Sequence, residues 1–147
     1  MLRCSNQIFT AVAAVPLHRN RLHERGYNQA GLLARKVSDD MKIPDLSTCL
    51  QRNRETLRQS AQQGRTERLA NLFGAFSLAW NTQKSNTIQT WTELKNNQPG
   101  QETSNHLLLV DDIFTTGATL TAAAYPFWQI GWHVTGLVVA SNRPGRT

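Results

Sequence analysis

Cysteine is scarce: Cys4 and Cys49 are the two in 147 residues. They form no CxxC pair and no metal-ligand spacing, which excludes a zinc finger and a disulfide-stapled scaffold. Both fit a reducing cytosol as bystanders, a Cys4–Cys49 bridge being the alternative. Long apolar runs are missing too. The longest, Ile8 to Leu17, contains Thr10 and Pro16 and is too short to span a bilayer, so no membrane association is expected. Met1-Leu2-Arg3-Cys4 is followed by polar Ser5-Asn6-Gln7, without the apolar core or cleavage site of a secretory signal. A cytoplasmic protein is the expectation. Aromatic residues make up 7 %, and Tyr27, Phe73 and Phe76 are too scattered to form the stacking platform of a single-strand nucleic-acid binder.

What the chain does have is a globular balance, with 39 % hydrophobic and 18 % charged residues, and a length that suits one domain over residues 1–147. Its net charge of +6 is unevenly placed. Through Trp80 there are twelve Lys and Arg against six acids, and beyond it four against four. Ten of those twelve are arginines, whose planar fork suits phosphate. Such a field favours an anionic partner, either a polyphosphate ligand or nucleic acid, with a solvated basic surface as the equally weighted alternative.

Small apolar residues from Thr10 to Val15 predict a buried strand that runs into a loop, Leu17 to Gly26. Ala30, Leu33, Ala34, Val37 and Met41 fall at helical spacing and predict a helix over 28–41 that ends before Pro44. Short strands are expected at Leu46–Leu50 and Phe73–Trp80, with a basic, Gln-rich stretch between them at Gln51–Arg68. Residues 81–105 are rich in Asn, Gln, Thr and Ser and read as a polar, mobile insertion. Leu107-Leu108-Leu109-Val110 has the continuous apolar character of a strand buried on both faces. Asp111-Asp112 should stand at its end, followed by a turn at Ile113–Gly117. A helix over 118–130, kinked by Pro126, and a strand over 134–140 complete a βαβ unit and thus a parallel α/β sheet flanked by helices.

Ligands of open α/β sheets bind at the carboxyl ends of the strands. Two carboxylates there, followed by a Thr/Gly turn that opens a helix, present an anion seat beside acidic groups. That combination matches a sugar phosphate.

The thirteen residues Leu107-Leu108-Leu109-Val110-Asp111-Asp112-Ile113-Phe114-Thr115-Thr116-Gly117-Ala118-Thr119 resemble the phosphoribosyl pyrophosphate motif of type I phosphoribosyltransferases. Val15-Pro16-Leu17-His18, Arg19-Asn20-Arg21 and Arg25-Gly26-Tyr27-Asn28-Gln29-Ala30 are similar to the ComF/GntX branch of that superfamily. So are Arg54-Glu55-Thr56, Arg65, Arg68, Asn71 and Gly74-Ala75-Phe76. The resemblance implies a type I phosphoribosyltransferase-like fold, N-terminally short because a Cys-rich zinc ribbon and an additional helix common in the family are missing from this sequence.

The resemblance also implies an activity: binding of 5-phosphoribosyl 1-pyrophosphate with Mg²⁺ and displacement of pyrophosphate at ribose C1 by an unidentified acceptor. Asp111 and Asp112 become the catalytic candidates, contacting the ribose hydroxyls and the substrate-borne Mg²⁺. Thr115, Thr116, Gly117, Ala118 and Thr119 would hold the 5′-phosphate. Arg19, Arg21 and Arg25 would face the pyrophosphate, and Arg54, Arg58, Arg65 and Arg68 are candidates for a closing loop. His18 and His23 are weaker candidates for acid or base. A different class of function is a non-catalytic sensor of the same ligand, associated with competence or DNA-processing proteins.

Overall fold

The computed structural model describes residues 8–17, 19–53, 73–79, 105–114 and 117–141. Three strands, β1 (Ala11–Ala14), β4 (His106–Phe114) and β5 (His133–Ser141), form a parallel sheet in the order β1-β4-β5. Ala11 pairs with Leu107 and Ala14 with Val110, while Leu109 faces Gly136 across the β4–β5 ladder. The expected βαβ unit is therefore present, its crossover being α3 (Ala118–Gln129).

Side-chain alternation along the strands explains the layers. Ala11, Ala13, Leu107 and Leu109 point into one core with Ala122, Ala123 and Phe127 of α3. Val12, Ala14, Leu108 and Val110 point the other way, against Ala30 and Ala34 of α2 (Gln29–Met41). Burial on both faces is what makes Leu107–Val110 read as an unbroken apolar run. At the amino end of the sheet Thr10 and His106 exchange bonds: the Thr10 hydroxyl accepts from the His106 N–H at 2.9 Å, and the Thr10 N–H donates to the His106 carbonyl at 2.8 Å.

Several expectations are corrected. Leu17–Gly26 is not all loop, because Arg19–Arg25 forms a helix, α1, in which no residue is buried. A helix without a packed face has no apolar period to read. Gly26, at φ +74°, ends it with its N–H bonded to the Leu22 carbonyl at 2.8 Å. Leu46–Leu50 is largely a turn, in which Asp45 accepts from the Ser47 N–H at 2.9 Å. The strand there is β2 (Leu50–Arg52), antiparallel to β3 (Phe76–Leu78), which is shorter than the strand expected over Phe73–Trp80. These two form a second small sheet where only a parallel one was foreseen. β4 does not stop at the acidic pair but runs on to Phe114, with Asp111 paired to Val138. The helix of the βαβ unit ends at Gln129, one residue before the expected end, with Pro126 buried inside it. Cys49 is a half-buried free thiol, pushed up by burial.

The packing of α3 on β5 depends on the missing side chain of Gly136. A Cβ there would collide with Leu120 Cδ2 and stand 3.2 Å from its Cγ. Gly136→Val is therefore expected to cost about 1–3 kcal/mol by overpacking, read as a lower midpoint in urea. Leu120→Ala in the same chain should recover part of that loss; an unchanged double-mutant midpoint would mean the strain lies elsewhere.

Among the described residues no helix is long and apolar enough to cross a membrane. The segment 81–104, Cys4, His18, Thr115, Thr116, Arg54, Arg58, Arg65 and Arg68 lie outside the described residues.

Candidate functional site

β4 is longer than β1 at its carboxyl end. The last β1–β4 pair is Ala14 with Val110, and the Val15 N–H still bonds the Val110 carbonyl at 2.8 Å. From Asp111 onward β4 is accompanied only by β5 on the described chain. At this overhanging end Asp112 is met by Arg25, the last residue of the arginine-rich segment Arg19–Arg25.

Asn28 fixes where that segment returns. It caps α2 in extended conformation (φ −101°, ψ 110°), its Oδ1 accepting from the Ala30 N–H at 3.1 Å. Its Nδ2 donates to the Val15 carbonyl at 3.2 Å, closing the base of the β1–α2 connection. Arg25, the last residue of α1, then reaches Asp112: Nη1 stands 3.3 Å from Oδ2. Arg19 and Arg21 are exposed on the same helix, and among the described residues the ion pair to the acidic pair is that of Arg25. His23 is exposed there as well.

The two carboxylates are not equivalent. Asp111 Oδ1 accepts the Asp112 backbone N–H at 2.9 Å, which fixes its orientation within the strand. Burial, foremost, pushes the Asp111 carboxyl from its ordinary 3.8 up to about 6, with the Asp112 side chain adding to the rise. The Asp112 backbone N–H and the charge of Arg52 oppose that rise. Arg52 belongs to β2 and lies over the Phe76 ring, 5.4 Å from its centroid. In the sequence Arg52 stands out only as part of the basic excess. Short strands are expected near these positions, but neither their antiparallel pairing nor the reach of β2 to Arg52 has a signal in the sequence.

Gly117 opens α3 at φ +77°, ψ −4°, a left-handed conformation that suits glycine. Ala118 and Thr119 occupy the first helical turn, half-buried. Gly117, Ala118 and Thr119 thus stand at the amino end of the helix that follows the acidic pair, the end whose dipole favours an anion. The structure brings together Asp111, Asp112 and Arg25 from the sequence-predicted set and adds Arg52.

Among the described residues no group of three or more His, Cys, Asp and Glu is gathered to hold a metal ion. Two adjacent carboxylates nonetheless fit Mg²⁺, a hard cation that takes one or two protein carboxylates and completes its shell with substrate oxygens and water.

The parallel sheet with helices on both faces, and an acidic pair followed by a helix start at its carboxyl end, define an α/β protein consistent with the phosphoribosyltransferase-like fold. No family model matches the chain, and no solved structure matches it. Over 121 residues it is 36 % identical to Competence protein F of Haemophilus influenzae, an alignment covering 82 % of this chain and 45 % of that protein. The chain belongs to the ComF family, and it spans less than half the length of this relative.

Proposed function

We propose that this chain binds 5-phosphoribosyl 1-pyrophosphate with Mg²⁺ and displaces pyrophosphate at ribose C1 by an acceptor. One observation carries the reading: the acidic pair of β4 overhangs β1 at the carboxyl end of the sheet, meets an arginine of α1 at Asp112, and precedes in sequence the glycine-led start of α3. Asp111 and Asp112 would accept from the ribose 2′- and 3′-hydroxyls. Gly117, Ala118 and Thr119, with Thr115 and Thr116, would receive the 5′-phosphate. Arg25, with Arg19 and Arg21 beside it, would face the diphosphate.

In the reaction the C1–oxygen bond to pyrophosphate breaks, the acceptor's lone pair forms the new bond to C1, and the acceptor gives up a proton to base or solvent. No covalent intermediate with the protein is required. The side chains position the sugar and counter the charge that grows on the leaving diphosphate, which are proximity and electrostatic tasks. Mg²⁺, held by Asp111 and Asp112 and mainly by substrate oxygens, would supply further charge neutralisation on the diphosphate.

A thermal-shift titration tests the binding. The melting temperature should rise with phosphoribosyl pyrophosphate plus Mg²⁺, reaching a stabilisation of about 2.7 kcal/mol at a hundredfold excess over Kd. No shift at millimolar ligand would overturn the reading. The name of the Haemophilus relative, Competence protein F, favours a second reading, a competence-associated module that binds the same ligand without turnover. Pyrophosphate release across a panel of bases and amines separates the two: release on any acceptor favours the transferase, and binding with none favours the sensor. Direct nucleic-acid binding by the basic first half would require DNA affinity with a steep salt dependence that survives competition by phosphoribosyl pyrophosphate.

A further inference from the structure

The Arg25–Asp112 ion pair joins two groups that a bound sugar diphosphate would draw in different directions. Asp112 would turn to the cation and hydroxyls, and Arg25 to the diphosphate. Its geometry is that of a contact made to be exchanged. It is a single bond through one terminal nitrogen at 3.3 Å, with the Arg25 side chain 44 % exposed and that of Asp112 15 % exposed. An ion pair with one partner so open to solvent contributes little to stability. Arg25 ends a helix that buries none of its residues, so moving it disrupts little packing. Asp111, by contrast, is anchored by the Asp112 N–H.

We propose that Arg25 is an internal counter-ion that masks Asp112 in the unliganded protein and is drawn off by a diphosphate, so that anion and divalent cation enter the site in a coupled way. The inference rests on the reading of the acidic pair as a sugar-diphosphate seat. Two features favour the exchange. A diphosphate carries more negative charge than one carboxylate and accepts the guanidinium fork in two-point contact. A guanidinium beside Asp112 repels a divalent cation, and its removal therefore favours that cation. Because such coupling is reciprocal, each half of the pair should inhibit the other's ligand.

The test uses each probe alone. Binding of Mn²⁺ without any phosphate is measured by electron paramagnetic resonance for wild type, Arg25→Gln, Arg25→Lys and the double variant Arg25→Gln/Asp112→Asn. Arg25→Gln should bind Mn²⁺ about five- to tenfold more tightly than wild type, the double variant should lose that gain, and Arg25→Lys should remain near wild type. Binding of inorganic pyrophosphate in EDTA is measured by calorimetry. Here Arg25→Gln should weaken binding and Asp112→Asn should strengthen it by freeing Arg25. Unaltered Mn²⁺ affinity in Arg25→Gln, a gain that persists in the double variant, or pyrophosphate binding that Asp112→Asn does not strengthen would overturn the exchange. Failure of the sugar-diphosphate reading is seen separately, as a wild-type melting temperature unmoved by phosphoribosyl pyrophosphate with Mg²⁺.

Discussion

Asp111→Asn is expected to make the protein more stable in metal-free buffer at pH 8 and to weaken its binding of phosphoribosyl pyrophosphate with Mg²⁺ by about tenfold or more. The two effects share one cause. Burial holds the Asp111 carboxyl at about 6 instead of its ordinary 3.8, so above pH 6 the folded protein carries a carboxylate that the unfolded chain would keep better hydrated. The amide retains the oxygen that accepts from the Asp112 N–H and removes the cost of ionisation. The full shift corresponds to about 3 kcal/mol. Partial exposure and the loss of attraction to Arg52 reduce the expected gain to about 1 kcal/mol, a rise of about 2–4 °C in melting temperature. The sign against pH follows from a folded value above the unfolded one. The contribution of wild-type Asp111 is fully present below 3.8 and is lost as pH rises through about 6. The advantage of the amide should therefore be near zero at pH 4, grow to pH 7 and level off. An advantage equal at pH 4 and pH 8 would show that ionisation is not its source. On the binding side, a neutral amide gives up charge-assisted hydrogen bonds, worth about 1.5–3 kcal/mol each, and the pull on a divalent cation. A site that is costly to fold and necessary to bind is what a functional carboxylate looks like energetically.

The same carboxylate shows why some of the site was legible and some was not. Leu107–Val110 and the helix Gln29–Met41 are readable because burial imposes a pattern on them: a continuous run where both faces are covered, a 3.6-residue period where one is. Asp111 and Asp112 read as the end of the strand because the continuous apolar run stops at Val110. The ladder to Val138 and beyond nonetheless carries β4 through to Phe114. α1 escaped notice for the opposite reason: with no buried residue it leaves no apolar trace. β2 and β3 are three residues each, with one buried residue at the start of each, too short for alternation to register. Strands were expected near both, but not their pairing or the reach of β2 to Arg52, whose charge acts on Asp111. Arg25 and Asp112 were each expected at the site. That they meet each other there depends on how far β4 runs past β1, which no local pattern encodes.

Phe127→Ala is expected to have the largest effect on stability, a loss of about 3–5 kcal/mol. Phe127 is 2 % exposed and lies in the core between α3 and the sheet, with Leu107, Leu109 and Ala123 in the same cluster. Its ring centroid is 5.9 Å from that of Trp132. The residue also organises the turn from α3 into β5, because its carbonyl accepts from the Ile130 N–H at 3.2 Å and the Trp132 N–H at 3.0 Å. Those backbone bonds survive the substitution; the filled volume does not. Six of the fourteen buried residues of that cluster are alanines, too small to fill the space by rotamer changes, so the upper part of the range applies. Against a total of about 5–15 kcal/mol for an ordinary domain, the variant should melt about 10 °C or more below wild type. Trp128→Ala, one residue on, is the control: Trp128 is 45 % exposed, and its removal should change stability by no more than about 0.5 kcal/mol. Calorimetry of both variants decides the matter. Comparable losses for the two would mean that α3 is not held by the face that carries Phe127, and the placement of its amino end beside the acidic pair would lose its structural support.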